Sequence, residues 1–567
     1  MATRKNLTAK REAKTAAIAV GVGLLSYALL SLAEDGSAVD TYVTPVFVLS
    51  TVVVAAVAAH TIYRRTPHAE WRRVATGDGW LGLFDLRNTL GVRAIRKTGT
   101  KTRPRLQRRG KPADYGMRLG TIAVGPSSVR GSRAAWADWE SSVLLFGLPG
   151  SGKTGWMIHR VIDAPGGILQ ATTKPDVYRA TAGIRAQHGP VALFDPANLN
   201  GDGSSLGFNP VKGCRDHRIA TRHASSLARG CKEIQGISED SWEGKVVEIL
   251  APMLMAADLA GFPMDAVAHW VTNPQDQSPL QILEQYPGNV PHGWTAQLRG
   301  HYNNKAERMQ GSIWNLAMSA VRFMAHPTVA ASCNPSPEQE LDIEQLVTGR
   351  GSLYLIGSGD DTTLAPLLTC LTDHVYQEAT VLASRCRDTD GRLDPPFGVL
   401  LDEAAHITPV DIPTWGGTAR GAGIYLVVAV QSLKQLNKVW GEHGAAIVWQ
   451  VCGIKLTMPG NTDMDELQEL SRLAGSREIE KISQGESEKG GSSTNRSTAT
   501  EPVITPEQIK SLPKRHALVI SSHAQRSTVV RFTLGQKRAA KLVRNLQRRA
   551  TRGKQPVQQL AASEEQA

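Results

Sequence analysis

The sequence predicts an α/β protein with an all-α insertion and an N-terminal hairpin of two membrane helices. Short apolar runs that end at glycine-rich or acidic residues, such as residues 143–146 and 397–401, predict buried strands. Residues 213–340 instead show helical spacing, and two longer apolar runs lie near the N-terminus. With 567 residues and 41% hydrophobic residues, the chain can fill several cores, which excludes a wholly disordered or fibrous protein.

The net charge of +12 is concentrated in two segments. Arg93–Lys111 holds nine basic and no acidic residues, and Lys537–Lys554 holds eight basic and no acidic residues. Such patches suggest an anionic partner, either nucleic acid or lipid headgroups. The six cysteines include no CxxC pair, which argues against a disulfide scaffold or a cysteine-rich zinc module.

The N-terminal apolar runs predict two transmembrane helices. Residues 15–63 contain no Lys or Arg, and the runs at 15–33 and about 41–62 are each long enough as a helix to cross roughly 30 Å of hydrocarbon. Basic residues flank the pair on both sides, so a multi-pass protein of the cell membrane with both termini cytoplasmic is expected. The alternative is a cleaved signal peptide.

A glycine-rich loop follows the predicted strand Val143–Phe146. Its sequence, GLPGSGKT, fits the pattern GxxxxGKT, which cradles phosphates with backbone N–H groups. Lys153 is placed to meet the β- and γ-phosphates of ATP, and the Thr154 hydroxyl to hold Mg²⁺. Because ATP is cytosolic, the loop also argues against the signal peptide. The predicted nucleotide-binding residues are Gly147, Leu148, Pro149, Gly150, Ser151, Gly152, Lys153 and Thr154.

A second predicted strand, Phe397–Leu401, ends in two carboxylates. Asp402 is predicted to complete the Mg²⁺ shell through water, and Glu403 to orient and polarise the water that attacks the γ-phosphate. An exposed Asp-Glu pair is usually a solvated turn. This pair, however, follows five apolar or small residues in a chain that already holds the phosphate loop.

A third predicted strand, Ile424–Val430, ends at Gln431. Ligands of α/β sheets bind at the carboxyl ends of strands, so Gln431 is a candidate sensor of the γ-phosphate. Arg420 lies just before this strand and is a candidate to reach the nucleotide of a neighbouring subunit. For both residues the alternative is an ordinary surface side chain.

Together these motifs resemble the TraG/TraD-type coupling proteins of conjugation and type IV secretion, within the FtsK/HerA group of hexameric DNA motors. The resemblance covers most of the chain and rests on the paired membrane helices, Gly147–Thr154, Pro190–Pro196 leading to Phe208–Pro210, Asp402–Glu403 and Arg420–Leu433. It implies a RecA-like P-loop NTPase domain interrupted by an all-helical domain, a homo-hexamer, and an arginine finger at Arg420. Thr172–Asp176 matches the family only in part, which leaves the roles of Lys174 and Asp176 open.

The resulting domain plan has seven parts. They are a cytoplasmic N-terminus 1–14, a transmembrane hairpin 15–63, a basic connecting region 64–135, a first motor part 136–212, an all-α insertion 213–340, a second motor part 341–535 with a flexible excursion at 485–500, and a basic tail 536–567.

The insertion carries two further features. Cys214, His217, His223 and Cys231 have a loosely zinc-like spacing, but their intervals fit no tetrahedral module well. The tryptophans offer stacking surfaces for bases, although core positions are the commoner use of this residue; they are Trp242, Trp270, Trp294 and Trp314.

The leading hypothesis is a membrane-anchored P-loop ATPase that delivers single-stranded DNA, with an attached relaxase, to a type IV secretion channel. The DNA cargo rests on the resemblance and on the basic patches. One alternative is a protein-secretion ATPase of the same architecture without DNA cargo. Another, of a different class, is a nucleotide-switched membrane scaffold, which the presence of Lys153, Asp402 and Glu403 disfavours.

Overall fold

The computed structural model describes residues 74–551, with gaps at 107–109, 126–132, 200, 232–240, 304–306, 360–361 and 487–491, and the separate residues 52 and 71. The described strands are β1 (Gly116–Ile122), β2 (Ala134–Asp138), β3 (Val143–Phe146), β4 (Ile168–Thr172), β5 (Val191–Phe194), β6 (Ser352–Ile356), β7 (Phe397–Leu401), β8 (Ile424–Val430), β9 (Ile454–Thr457), β10 (Ser476–Glu486), β11 (Ser492–Pro502), β12 (His516–Ser521) and β13 (Thr528–Arg531).

The described α-helices are α1 (Leu83–Asn88), α2 (Val92–Thr102), α3 (Pro112–Tyr115), α4 (Lys153–Asp163), α5 (Asp176–Arg185), α6 (His217–Arg229), α7 (Ser241–Ala260), α8 (Met264–Thr272), α9 (Ser278–Gln285), α10 (Trp294–Asn303), α11 (Glu307–Val321), α12 (Pro327–Ser332), α13 (Ile343–Thr348), α14 (Ala365–Arg385), α15 (Ala404–Ile407), α16 (Ile412–Ala422), α17 (Leu433–Val451), α18 (Met464–Ala474), α19 (Pro506–Lys510) and α20 (Gly535–Thr551). Short 3₁₀ turns lie at Arg322–Ala325, Thr362–Leu364 and Arg387–Thr389.

Eleven of the described strands form one sheet in the order β2-β1-β13-β12-β9-β3-β8-β7-β4-β6-β5. Those from β9 to β5 pair in parallel, whereas β2, β1, β13 and β12 pair antiparallel with their neighbours. Parallel strands are covered on both faces, which explains why β3, β7 and β8 are apolar or small and buried throughout. The predicted mixed α/β fold is confirmed.

Successive residues of the central strand β3 face two different cores. Val143 and Leu145 belong to the core that includes the apolar residues of α4, because alternate side chains point to opposite faces of a sheet. Leu144 and Phe146 belong to the larger core, which includes α14, α16 and the helices between β5 and β6. The sheet therefore has helices on both of its faces.

Between β5 and β6 the described chain is helical, from α6 to α13. Helix α7 lies at the centre of this segment and packs against α6, α8, α9, α10 and α11. It is almost uniformly apolar from Ile249 to Ala257, all of it buried, and Pro252 lies in its interior. Trp270 and Trp314 are buried in the same core, so they serve packing rather than base stacking.

The membrane localisation predicted from the sequence is contradicted. In the part of the chain that the structure describes, no helix is both long enough and apolar enough to cross a membrane. The longest helices there, α7, α14 and α17, each carry at least three charged residues, which are costly to place in hydrocarbon. The predicted spans, 15–33 and about 41–62, lie outside the described residues apart from residue 52.

Two segments differ from the domain plan. The predicted flexible excursion 485–500 lies largely within an antiparallel pair, in which Ser476 of β10 pairs with Pro502 of β11. Its threonines suit extended backbone despite the polar composition. The predicted basic tail 536–567 begins as helix α20, which contacts α4 and α5, because one of its faces is apolar.

Candidate functional site

The glycine-rich loop joins β3 to α4 at the carboxyl edge of the parallel strands. The Gly147 N–H donates to the carbonyl of Val430 at the end of β8, with a distance of 3.2 Å. Gly150 and Gly152 adopt φ values of 80° and 108°, a left-handed region that disfavours other residues. These glycines turn the loop so that α4 begins at Lys153. The N-terminus of a helix favours anions, because its first N–H groups lack partners.

The remaining loop residues shape the turn and its surroundings. The Ser151 N–H donates to the Leu148 carbonyl at 3.1 Å, and the Ser151 hydroxyl lies 3.5 Å from the Met458 sulfur. Pro149 is exposed, whereas Thr154 is half-buried in the first turn of α4. Met458 directly follows β9, so the three strands β8, β3 and β9 surround the loop.

Lys153 is buried although it carries a charge. Its side chain is 7% exposed, and its Nζ has no hydrogen-bond partner among the described residues. The nearest carboxylate oxygen that pairs with it is Glu403 Oε1, at 4.0 Å. A buried ammonium at this distance from its counter-ion is poorly solvated, so the site favours a further anion beside Lys153.

Asp402 and Glu403 follow the end of β7. The Asp402 N–H donates to the Ala171 carbonyl of β4 at 2.9 Å, while its Oδ1 is buried without a partner in the described part of the chain. Burial raises the pKa of the Asp402 carboxyl to about 6; the Lys153 ammonium opposes this rise and the Glu403 carboxylate reinforces it. The unpartnered oxygen is available to a cation or to water.

The Glu403 backbone is strained. Its φ of 56° and ψ of 44° place a non-glycine residue in the left-handed region, directly before α15. Such outliers cost of order 1–3 kcal/mol and cluster at functional sites. A Cβ added to Gly359 would lie 4.0 Å from Glu403 Oε2 and 3.5 Å from Thr173 Cγ2. The chain after β6 therefore passes close to the Glu403 carboxylate and to the residue that follows β4.

Gln431 lies at the same edge of the sheet, and Arg420 does not. The Gln431 N–H donates to the Gln435 Oε1 at 2.8 Å, which fixes the start of the turn into α17. Arg420 lies in the last turn of α16, before β8 begins, and the seven residues of β8 span about 20 Å. The structure thus brings the loop, Asp402, Glu403 and Gln431 to one edge and leaves Arg420 at the opposite one.

Arg420 has a partner that the sequence did not indicate. Its Nε donates to Glu140 Oε2 at 3.0 Å, and Arg392 Nη1 donates to the other oxygen of the same carboxylate. Glu140 is 8% exposed, whereas Arg420 is 60% exposed. A largely buried carboxylate thus anchors an arginine whose head remains accessible.

The sequence left the roles of Lys174 and Asp176 open, and both residues lie apart from the Arg420–Glu140 pair. The Lys174 N–H lies 3.4 Å from the Thr172 Oγ1 and its side chain is exposed, as is Asp176 at the start of α5. Of the zinc-like residues, Cys214 and His223 are in contact, with Cys214 Sγ 3.6 Å from His223 Nδ1. His223 Nδ1 donates to the Pro210 carbonyl, and His217 is exposed. No group of three or more metal-ligating side chains exists among the described residues.

Part of the first basic patch is paired within the protein. Arg103 is buried, and its Nε donates to Asp394 Oδ1 at 3.0 Å. Arg105 forms an ion pair with Asp388 at 2.5 Å. These two cations connect the basic region to the chain before β7, so fewer than nine charges are free for an anionic partner.

The sheet order and the glycine-rich loop define an α/β fold with a phosphate-binding loop, and comparison with known proteins shows what the chain is similar to. Residues 396–514 match the sequence model of a family described as the TraM recognition site of TraD and TraG. No sequence among curated proteins matches the chain. Several solved structures of coupling proteins share its fold.

One is the unbound bacterial conjugative coupling protein TrwBdeltaN70, with a TM-score of 0.52, 15% identity, and coverage of 79% of this chain and 92% of that one. The plasmid coupling protein TrwB in complex with ADP and Mg²⁺ has a TM-score of 0.54 and 16% identity over 75% of this chain and 95% of its own. TrwB with the ATP analogue ADPNP has a TM-score of 0.52 and 16% identity, and the match covers 79% of this chain and 93% of that one. The predicted resemblance to TraG/TraD-type coupling proteins is confirmed; at these identities the solved structures establish the fold.

Proposed function

We propose that this chain is an ATP-driven coupling protein, which hydrolyses ATP with Mg²⁺ to deliver single-stranded DNA with an attached relaxase to a conjugation channel. The observation that carries the proposal is the pair of buried groups at the loop that lack a hydrogen-bond partner among the described residues, the Lys153 ammonium and the Asp402 Oδ1. Such groups cost free energy unless a ligand satisfies them. A phosphate chain fits the first and a hydrated Mg²⁺ fits the second.

The roles of the chain's own residues follow from these positions. Lys153 would hold the β- and γ-phosphates, and the loop N–H groups would contact phosphate oxygens. The Thr154 hydroxyl and Asp402 would hold Mg²⁺, Asp402 through water. When bound, Mg²⁺ neutralises negative charge on the phosphates. Glu403 accepts a hydrogen bond from the attacking water, and Gln431 contacts the γ-phosphate.

A ring of subunits completes the site in this proposal. Arg420 lies about one strand length from the loop of its own subunit, and its guanidinium is 60% exposed. It can therefore serve a nucleotide only on a second copy of the chain, as an arginine finger does. We extend the proposal to a homo-hexamer, the assembly that the resemblance implies.

The proposed role in DNA transfer rests on the similarity of this chain to coupling proteins. The fold is that of a bacterial conjugative coupling protein, and residues 396–514 match a region described as a TraM recognition site. This match supports a protein partner for this region. No observation favours the alternative of a protein-secretion ATPase without DNA cargo.

The experiment is phosphate release by the purified full chain with ATP and Mg²⁺, with and without single-stranded DNA. We expect hydrolysis that single-stranded DNA accelerates and that Lys153→Ala abolishes. Hydrolysis unaffected by DNA but increased by a secreted protein would favour the protein-secretion alternative. Nucleotide binding without hydrolysis, under all of these conditions, would favour the nucleotide-switched scaffold.

A further inference from the structure

The C-terminal helix α20 is attached to the helix of the phosphate loop. Its apolar positions, Ala539, Leu542, Val543 and Leu546, recur at helical spacing and pack on the core that includes α4. Helix α20 contacts both α4 and α5. A segment that reads as a free basic tail in the sequence is therefore part of the nucleotide-binding domain.

An ion pair fastens the two helices at the far end of α4. Arg538 donates from both terminal nitrogens to Asp163, at 2.5 and 2.9 Å, and the side chain of Asp163 is 13% exposed. Arg160 lies 3.6 Å from the same carboxylate and is itself buried. These arginines hold the pKa of the Asp163 carboxyl below its usual range against the effect of burial. Bidentate arginine–carboxylate pairs of this kind fix the relative orientation of the two side chains in addition to their electrostatic attraction.

The start of α20 also touches the loop end of α4. The Phe532 ring lies so close to Gly152 that a Cβ there would meet its Cε2 at 3.3 Å. A Cβ on Gly535 would lie 2.3 Å from the Gly155 carbonyl oxygen. The chain from Phe532 to Arg538 therefore follows α4 from the phosphate loop to its last residue, and α4 cannot shift without displacing it.

The opposite face of α20 is basic. Lys537, Lys541 and Arg544 lie on it, one turn apart and exposed. In the described part of the chain none of the three has a carboxylate partner, and α20 contains no acidic residue. A row of cations at this spacing complements the phosphates of a nucleic-acid backbone.

We infer that α20 is a nucleic-acid sensor for the phosphate loop. Single-stranded DNA binds the basic face of α20, and the Arg538–Asp163 pair couples this binding to the position of α4 and so to nucleotide affinity. The choice of DNA as ligand rests on the proposed function. Arg538 is a positioning residue here, since it touches α4 rather than the nucleotide. Reciprocity then requires bound nucleotide to change DNA affinity by the same factor as DNA changes nucleotide affinity.

The outer face is tested by the triple variant Lys537→Gln, Lys541→Gln, Arg544→Gln in the full chain. Its matched control, Lys438→Gln, Lys510→Gln, Lys514→Gln, removes the same charge from exposed positions outside α20. Affinity for an oligo-dT strand is measured by fluorescence anisotropy over a range of salt. We expect the outer variant to lose roughly tenfold in affinity and about 2 in salt slope, for three lost phosphate contacts, with ADP affinity unchanged. Affinity and slope equal to the control would overturn the inference.

The transmitting pair is tested by Asp163→Asn and, separately, Arg538→Gln, two changes that remove the charge pairing from opposite sides. The readout is the factor by which oligo-dT changes affinity for fluorescent ADP. We expect both variants to bind DNA within about twofold of the parent while this factor falls to about one. A factor unchanged in both would overturn the coupling.

These outcomes separate the inference from the proposed function. If the parent chain binds ADP and oligo-dT but the substitutions in α20 and at Asp163 have no specific effect, the inference about α20 is wrong and the proposed function stands. If the parent chain binds ADP but no oligo-dT at any salt, the DNA cargo and the sensor both fail.

Discussion

The Lys153 ammonium lies 4.0 Å from Glu403 Oε1, which joins the phosphate loop after β3 to the carboxylates after β7. The strands β3 and β7 are not neighbours, since β8 lies between them. Because parallel strands end at the same edge, two segments far apart in sequence meet without any direct pairing of their strands. The two residues perform different tasks in the proposed reaction, so their substitutions separate nucleotide binding from hydrolysis.

Lys153→Ala removes the cation that faces the phosphates, and we expect loss of both nucleotide binding and turnover. Glu403→Gln keeps the size of the side chain but not its basicity, so binding should persist while turnover falls by about a hundredfold or more. Fluorescent ADP binding and phosphate release measure the two quantities, with exposed Glu442→Gln as the control. Parental turnover in Glu403→Gln would show that another group activates the water.

Asp402→Asn should stabilise the nucleotide-free protein at neutral pH. The Asp402 pKa is raised to about 6, so the folded state binds its proton more tightly than the unfolded state. The stability that protonation supplies is complete below about pH 4 and is lost as the pH rises through 6. The variant should exceed the parent by about 3 kcal/mol near pH 7.5 and by about half of that near pH 5.

Urea unfolding without nucleotide or Mg²⁺, followed by tryptophan fluorescence, measures this difference for Asp402→Asn. An equal advantage at both pH values would mean that the carboxyl does not titrate in this window. A midpoint below that of the parent near pH 7.5 would mean that the ionised carboxylate stabilises the fold.

His159 should make the contact between α4 and α20 sensitive to acid. Its Nε2–H donates to the Thr533 carbonyl at 3.0 Å, and Arg538 Nη1 lies 3.2 Å from its Nδ1. Burial first, and then the Arg160 charge, lower the His159 pKa to about 4. The folded state therefore favours the neutral imidazole of His159. The stability that this preference contributes is fully present above about pH 6.5 and is lost as the pH falls towards 4.

Between about pH 7.5 and 5 the His159 contribution falls by about 2 kcal/mol. His159→Gln keeps a donor for the Thr533 carbonyl, and its unfolding midpoint should depend less on pH over this range. Exposed His292→Gln is the control. Identical pH profiles for the parent and His159→Gln would show that His159 does not contribute to the pH dependence of stability.

Arg420→Ala should act across the subunit interface. Arg420→Ala subunits are mixed with Lys153→Ala subunits, and phosphate release by the mixture is compared with that of each variant alone. A Lys153→Ala subunit still carries Arg420 and can complete the intact loop of an Arg420→Ala neighbour, so the mixture should hydrolyse ATP although neither variant does so alone. Exposed Arg472→Ala, which should keep its activity alone, is the control. A mixture as inactive as the two separate variants would count against a shared site.

The elements that the sequence predicted well are those whose signal is local. An apolar run followed by a glycine-rich, acidic or polar turn marks β3, β7 and β8, respectively. The edge at which their motifs meet follows from parallel pairing alone. The contact of Arg420 with Glu140 was not foreseeable, because it joins the segments before β3 and β8 through tertiary packing. The attachment of α20 to α4 is of the same kind. The threonines of β11, which favour extended backbone, were outweighed by the glycine- and serine-rich composition of residues 485–500.

The central claim, that ATP hydrolysis moves single-stranded DNA, is tested most directly by displacement of streptavidin from the end of a biotinylated single strand. The full chain is incubated with this strand, ATP and Mg²⁺ in the presence of excess free biotin. We expect displacement that requires ATP and that is absent with Lys153→Ala and with Glu403→Gln. Phosphate release that single-stranded DNA stimulates, without any displacement from either end of the strand, would contradict it.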